Sequence, residues 1–165
     1  MQINGNTTLN ATITVPTAVV FTQSLTGSGT LRMAAPLTWS GGTLALTGGL
    51  EILAGQTAAV TGGLTLNTGT SFKNFGTINW ASPASFSYNG GSITVRNEAG
   101  GVWNLNAGSF TLATNGAPTP AGSFSFVNAG TMQGAGNPAT TLTVSTTWLS
   151  FSQGTTNNMA VNLVP

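Results

Sequence analysis

The chain has 165 residues, of which five are charged (Arg32, Glu51, Lys73, Arg96 and Glu98), and its formal net charge is +1. It has no cysteine, histidine or aspartate, which excludes disulfides, thiolate metal sites and most histidine- or carboxylate-based chemistry; a net +1 gives no basic field to neutralise nucleic-acid phosphates. Disordered chains pair low hydrophobicity with high net charge, but this one is 40% hydrophobic with four Trp and eight Phe, so it must fold or aggregate.

Short period-two runs bounded by Gly, Asn or Pro predict strands joined by tight turns. The first covers residues 8–15, with Leu9, Ala11, Ile13 and Val15 on one face and Thr8, Asn10, Thr12 and Thr14 on the other. Further alternation follows at 43–46, 64–66, 93–95, 110–112, 124–126 and 142–144, and the last run is 159–163. Helical periodicity is nearly absent, because Gly or a β-branched residue interrupts almost every candidate window.

Two sequence words recur. One is a glycine pair leading into a strand, as in Gly41-Gly42-Thr43-Leu44, Gly62-Gly63-Leu64-Thr65-Leu66 and Gly90-Gly91-Ser92-Ile93. The other is an apolar residue, then an amide two positions on, with glycine shortly after. It reads Phe72-Lys73-Asn74-Phe75-Gly76, Val95-Arg96-Asn97 with Gly100, Phe126-Val127-Asn128-Ala129-Gly130, and Phe151-Ser152-Gln153-Gly154. The amides at Asn74, Asn97, Asn128 and Gln153 are thus 23, 31 and 25 residues apart.

A period in the twenties with about three short strands per repeat predicts a parallel β-solenoid, because one coil cannot bury its apolar residues without neighbours. The expected fold is all-β: a right-handed parallel β-helix of roughly seven coils, with residues 1–165 as a single domain. Residues 1–16 form an N-terminal strand available for exchange or capping. Asn74, Asn97, Asn128 and Gln153 are expected to stack as a corner ladder, and residues 115–120 to bulge as a loop. A β-sandwich of antiparallel hairpins is the alternative, since strand spacing alone also fits it.

The words around Phe72-Lys73-Asn74-Phe75-Gly76-Thr77-Ile78, Gly90-Gly91-Ser92-Ile93 and Phe126-Val127-Asn128-Ala129-Gly130-Thr131 resemble the degenerate repeats of bacterial β-helical surface proteins, including hemagglutinin-like and autotransporter-type adhesins. The resemblance spans roughly residues 40–155 and implies a secreted or surface-anchored solenoid serving as stalk, adhesin or fibre. It carries over no functional residue.

Catalysis is not expected. Glycoside hydrolysis generally uses two carboxyl groups across one bond; Glu51 and Glu98, about two coils apart, are read as surface residues. An activated serine needs a base, and only Lys73 is at hand. No cofactor or metal site is expected. Trp80 and Trp103, 23 residues apart, together with Tyr88, could form a glycan-binding face. The favoured reading is a buried or corner aromatic stack. No apolar run approaches the length of a membrane helix, and residues 1–5 lack the basic start and apolar core of a signal peptide.

The first and last runs are uncharged and alternating, so Leu9, Ile13 and Val15 at one end and Met159, Val161 and Leu163 at the other are the candidate assembly edges. The expected function is a non-enzymatic structural subunit of an extracellular or cell-surface fibre or stalk. Its partners would be further copies added head to tail or adjacent modules. A glycan-binding adhesin module is the alternative, with glycans as partners.

Overall fold

The computed structural model describes residues 2–81, 85–89, 91–106, 109–114, 124–134, 141–144, 149–152, 155–157 and 160–163; side chains are described for 2–81, 91–106 and 124–134. Among these residues every element is a strand, three to a coil. The first coil holds β1 (Gln2–Ile3), β2 (Thr7–Thr8) and β3 (Ile13–Val15); the second β4 (Val19–Phe21), β5 (Leu25–Gly27) and β6 (Thr30–Met33); the third β7 (Leu37–Trp39), β8 (Thr43–Leu46) and β9 (Gly49–Ile52). The fourth holds β10 (Thr57–Val60), β11 (Leu64–Asn67) and β12 (Ser71–Asn74); the fifth β13 (Thr77–Trp80), β14 (Ser85–Asn89) and β15 (Ile93–Asn97). Next come β16 (Val102–Leu105), β17 (Ser109–Thr114) and β18 (Phe124–Asn128), then β19 (Thr131–Gly134), β20 (Thr141–Val144) and β21 (Leu149–Ser152), and lastly β22 (Thr155–Asn157) and β23 (Ala160–Leu163).

Each sheet takes every third strand. The first runs β1-β4-β7-β10-β13-β16-β19-β22, the second β2-β5-β8-β11-β14-β17-β20-β23, and the third β3-β6-β9-β12-β15-β18-β21. Every pairing among the described residues is parallel. The fold is therefore a three-sided β-solenoid, and the antiparallel hairpins of a sandwich are not its pairing. Sheets of eight, eight and seven strands agree approximately with the expected coil number.

Alternation decides what enters the core. In β12 Phe72 and Asn74 point inward while Ser71 and Lys73 are half-exposed; β15 and β18 repeat the pattern over five residues. Inward residues of successive coils then stack in columns. One column of the third sheet runs Ile13, Leu31, Leu50, Phe72, Val95, Phe126, and one of the first runs Leu37, Ala58, Ile78, Trp103, Met132. Ala58 lies two coils below the Trp103 indole, so residue volume changes from coil to coil along a column while the column itself stays filled.

Two expectations are corrected here. Residues 8–15 are not one strand: Thr7–Thr8 belongs to the second sheet and Ile13–Val15 to the third, with a corner between. The first coil explains this, because Gln2 lies beside Val20 after only 18 residues and the chain must turn three corners within that length. The period is also less regular than the amide spacing suggests. Neighbouring coils stand 18 residues apart at Thr7 and Leu25 but 32 apart at Ser109 and Thr141. The described strands stay at two to six residues, so the corners take up most of the difference. The loop expected at 115–120 lies outside the described residues.

The columns separate covered from uncovered positions. Leu50, buried between Leu31 and Phe72, should lose about 2–5 kcal/mol on Leu50→Ala. Ile13, at the foot of the same column and 42% exposed, should lose less than about 1 kcal/mol on Ile13→Ala. Urea unfolding of the two variants measures the difference.

Candidate functional site

The polar side chains are organised by the same stacking. In the third sheet an inward column begins apolar, with Val15, Met33 and Ile52, and then becomes amide, with Asn74, Asn97 and Asn128. All three asparagines are buried. Asn74 Nδ2 donates to Asn97 Oδ1 at 2.8 Å, and Asn97 Nδ2 donates to Asn128 Oδ1 at 2.8 Å. The backbone meets the remaining demand: Asn74 Oδ1 accepts from the Gly76 N–H, Asn74 Nδ2 reaches Val102 O, and Asn97 Nδ2 reaches Gly101 O and Thr131 O. Burying an amide without partners is costly; here Asn74 and Asn97 each partner the next coil and a corner, and Asn128 accepts from Asn97.

Gly101 and Gly130 lie against this ladder. A Cβ at Gly101 would sit 2.6 Å from Asn97 Oδ1, so only a residue without a side chain lets the corner close over the amide. Gln153, expected as the next rung, lies outside the described residues.

A second ladder runs on the outer face of the first sheet and was missed in the sequence. Asn104 Nδ2 donates to Asn79 Oδ1 at 2.7 Å and Gln133 Nε2 donates to Asn104 Oδ1 at 2.6 Å, in strands registered as Asn79, Asn104, Gln133. Its signal was present: Ile78-Asn79-Trp80, Trp103-Asn104-Leu105 and Met132-Gln133 each put an amide after an apolar residue in the same strand of successive coils.

The charges gather on one side. Arg32, Glu51, Lys73 and Arg96 form one outward column of the third sheet, and Glu98 follows β15 directly. Glu51 lies between two cations, 2.9 Å from Arg32 Nε and 3.6 Å from Lys73 Nζ, while Arg96 Nε is 2.8 Å from Glu98 Oε1. A hydrogen bond from Arg96 to Glu98, with the attraction between their charges, holds the Arg96 guanidinium above its usual range; desolvation opposes this. Glu51 and Glu98 are separated by the intervening strand β12 and both are engaged in ion pairs. Among the described residues no group of three or more His, Cys, Asp or Glu could hold a metal ion. Nor is any helix among them long and apolar enough to cross a membrane.

The aromatic residues correct the glycan-face expectation. Trp80 and Trp103 are fully buried, with rings stacked at 6.1 Å and an interplanar angle of 28°. Trp103 also packs against Phe72 at 5.9 Å and Phe126 at 5.3 Å. They lie in adjacent coils but not in one column: Trp103 registers with Ile78, and Trp80 with Leu105. Their inward parity leaves no ring face for a sugar. The Tyr88 side chain lies outside the described residues.

At the candidate assembly edges, Leu9 and Val15 are partly buried against the core, whereas Ile13 is exposed although its column is interior. Met159 lies outside the described residues. Val161 and Leu163 register with Leu142 and Val144, and their side chains are likewise undescribed.

Asn97→Ala removes the acceptor of Asn74 and a donor to Asn128, so it should cost about 2–4 kcal/mol. Asn104→Ala in the half-buried outer ladder should cost about 0.5–1.5 kcal/mol; urea midpoints of the two variants compare them. A raised Arg96 stabilises the fold below its ordinary titration range, and that contribution is lost only as pH rises through the raised value. Arg96→Gln should therefore cost under about 1 kcal/mol, equally at pH 6 and pH 9, in the same assay. Compared with family models, curated proteins and solved structures, the chain matches none.

Proposed function

We propose that the chain is a non-enzymatic structural module of an extracellular fibre or surface stalk, joined end to end to further copies, or to adjacent modules, by parallel strand pairing. The observation that carries this reading is Ile13. Its column is closed by a buried residue in every higher coil whose side chains are described, from Leu31 to Phe126, yet Ile13 itself is 42% exposed. In the second coil Phe21 and Leu31 are buried, while in the first Ile3, Leu9 and Val15 are only partly so.

The physics favours another rung as the occupant. Below β1, β2 and β3 lies the outer edge of three parallel sheets, with backbone groups directed down the axis and apolar side chains between them. Another parallel coil satisfies both at once, as each coil of this chain does for its neighbour. A heterologous joint of this type does not close on itself, so it propagates as a thread. The extracellular setting rests on the likeness of the repeats to surface-protein repeats and on the near-absence of charge.

Electron micrographs of the purified chain should show unbranched threads. Ile13→Lys would place a charge in the joint and should shorten or abolish the threads while lowering stability by less than about 1 kcal/mol. Discrete particles from the unsubstituted chain at all concentrations, or unaltered threads from the lysine variant, would refute the reading.

A further inference from the structure

We infer that the outer face of the first sheet is a side-to-side contact surface for a second copy of this chain, and that threads bundle through it. The inference rests on the end-to-end reading for its threads, but the contact arises from different residues. All five charges of the chain stand on or beside the third sheet, so the first sheet's outer face carries none. That face is built from the ladder Asn79, Asn104, Gln133 and, two residues away in register, from Thr77, Val102 and Thr131. Val20, outward on the same sheet, is 37% exposed; with Ile13 it is one of the two large hydrophobic residues exposed among the described residues.

A second copy suits this face for three reasons. Both surfaces repeat at the spacing of parallel strands, ~4.8 Å, so a match made at one coil holds at the next. Each amide has two N–H groups and two lone pairs, and the ladder takes one of each from Asn104. The other pair can bond across to a like face, as amide ladders do between stacked sheets. No charge is desolvated on contact, and the third sheet keeps the charges in water.

The contact is small for one copy. Eight strands span seven steps of ~4.8 Å, and two outward columns are about 10 Å wide. The face is then roughly 340 Å² per partner and about 700 Å² in total, below the roughly 1,000 Å² of a stable interface. Single copies should therefore attract only weakly. Copies held in a thread add their contacts along its length, so the threads associate.

The test compares two variants of equal charge. One carries Val20→Lys, Thr77→Lys and Thr131→Lys on the first sheet; the other carries Thr26→Lys, Thr43→Lys and Thr65→Lys on the second. All six positions are outward on strands, as Lys73 is, and circular dichroism checks that both variants fold. Micrographs should show bundled threads for the unsubstituted chain and the second-sheet variant, and single threads for the first-sheet variant. The second virial coefficient of dilute, unassembled chain, read by static light scattering, should be more positive for the first-sheet variant than for the second-sheet variant. Equal bundling or equal virial coefficients in the two variants would overturn the inference. If threads are absent altogether, the end-to-end reading fails and the light-scattering comparison still decides this one.

Discussion

A coil of about twenty residues cannot bury its own interior, and the rest of this structure follows from that constraint. Three strands of two to six residues enclose too little volume to surround a side chain in the plane of one coil. Leu50 is buried because Leu31 lies on one side of it and Phe72 on the other. The unit of stability is therefore the pair of adjacent coils, and stability accumulates along the stack as a sum of neighbouring contacts. A coil with a neighbour on one side only keeps part of its core in water, which is the condition of Ile13.

The same constraint explains how so polar a chain has a dry core. Stacking in parallel register brings identical side chains together, which suits amides because each is both donor and acceptor. Asn74, Asn97 and Asn128 use this property inside the solenoid, and Asn79, Asn104 and Gln133 use it outside. Charged residues gain nothing from identical neighbours, since like charges repel. The charged column answers this by placing Glu51 between Arg32 and Lys73 and by giving Arg96 its own partner in Glu98. Two faces are left neutral as a result, and neutrality makes side-to-side contact cheap in desolvation.

Much of the fold was legible in the sequence. Asn74, Asn97 and Asn128 each follow an apolar residue two positions earlier, and that spacing pointed to parallel coils where strand spacing alone also allowed a sandwich. The early coils were less legible. Val19–Phe21 and Leu25–Gly27 are three residues each, too short for alternation to register, and merging residues 8–15 into one strand hid a corner. The tryptophan spacing was legible only in part. A separation of 23 residues was read as one coil, whereas the register there is 25, from Thr77 to Val102; and parity, which fixes whether an indole points in or out, depends on where each strand starts. The outer ladder was overlooked because its amides are followed by Trp80 and Leu105 in two of three rungs and not by the corner glycine that marks the inner one.

These features describe a stack with its charges along one sheet, two uncharged sheets and a first coil whose core is less buried than that of the coils above it. Residue-resolved hydrogen exchange across a concentration series tests that description most directly. In dilute solution the amides of Ile13–Val15 should exchange orders of magnitude faster than those of Gly49–Ile52, and they should gain protection as the chain is concentrated and the next rung docks. Protection of Ile13–Val15 that already equals that of Gly49–Ile52 in dilute solution, or that stays unchanged at every concentration, would contradict the account.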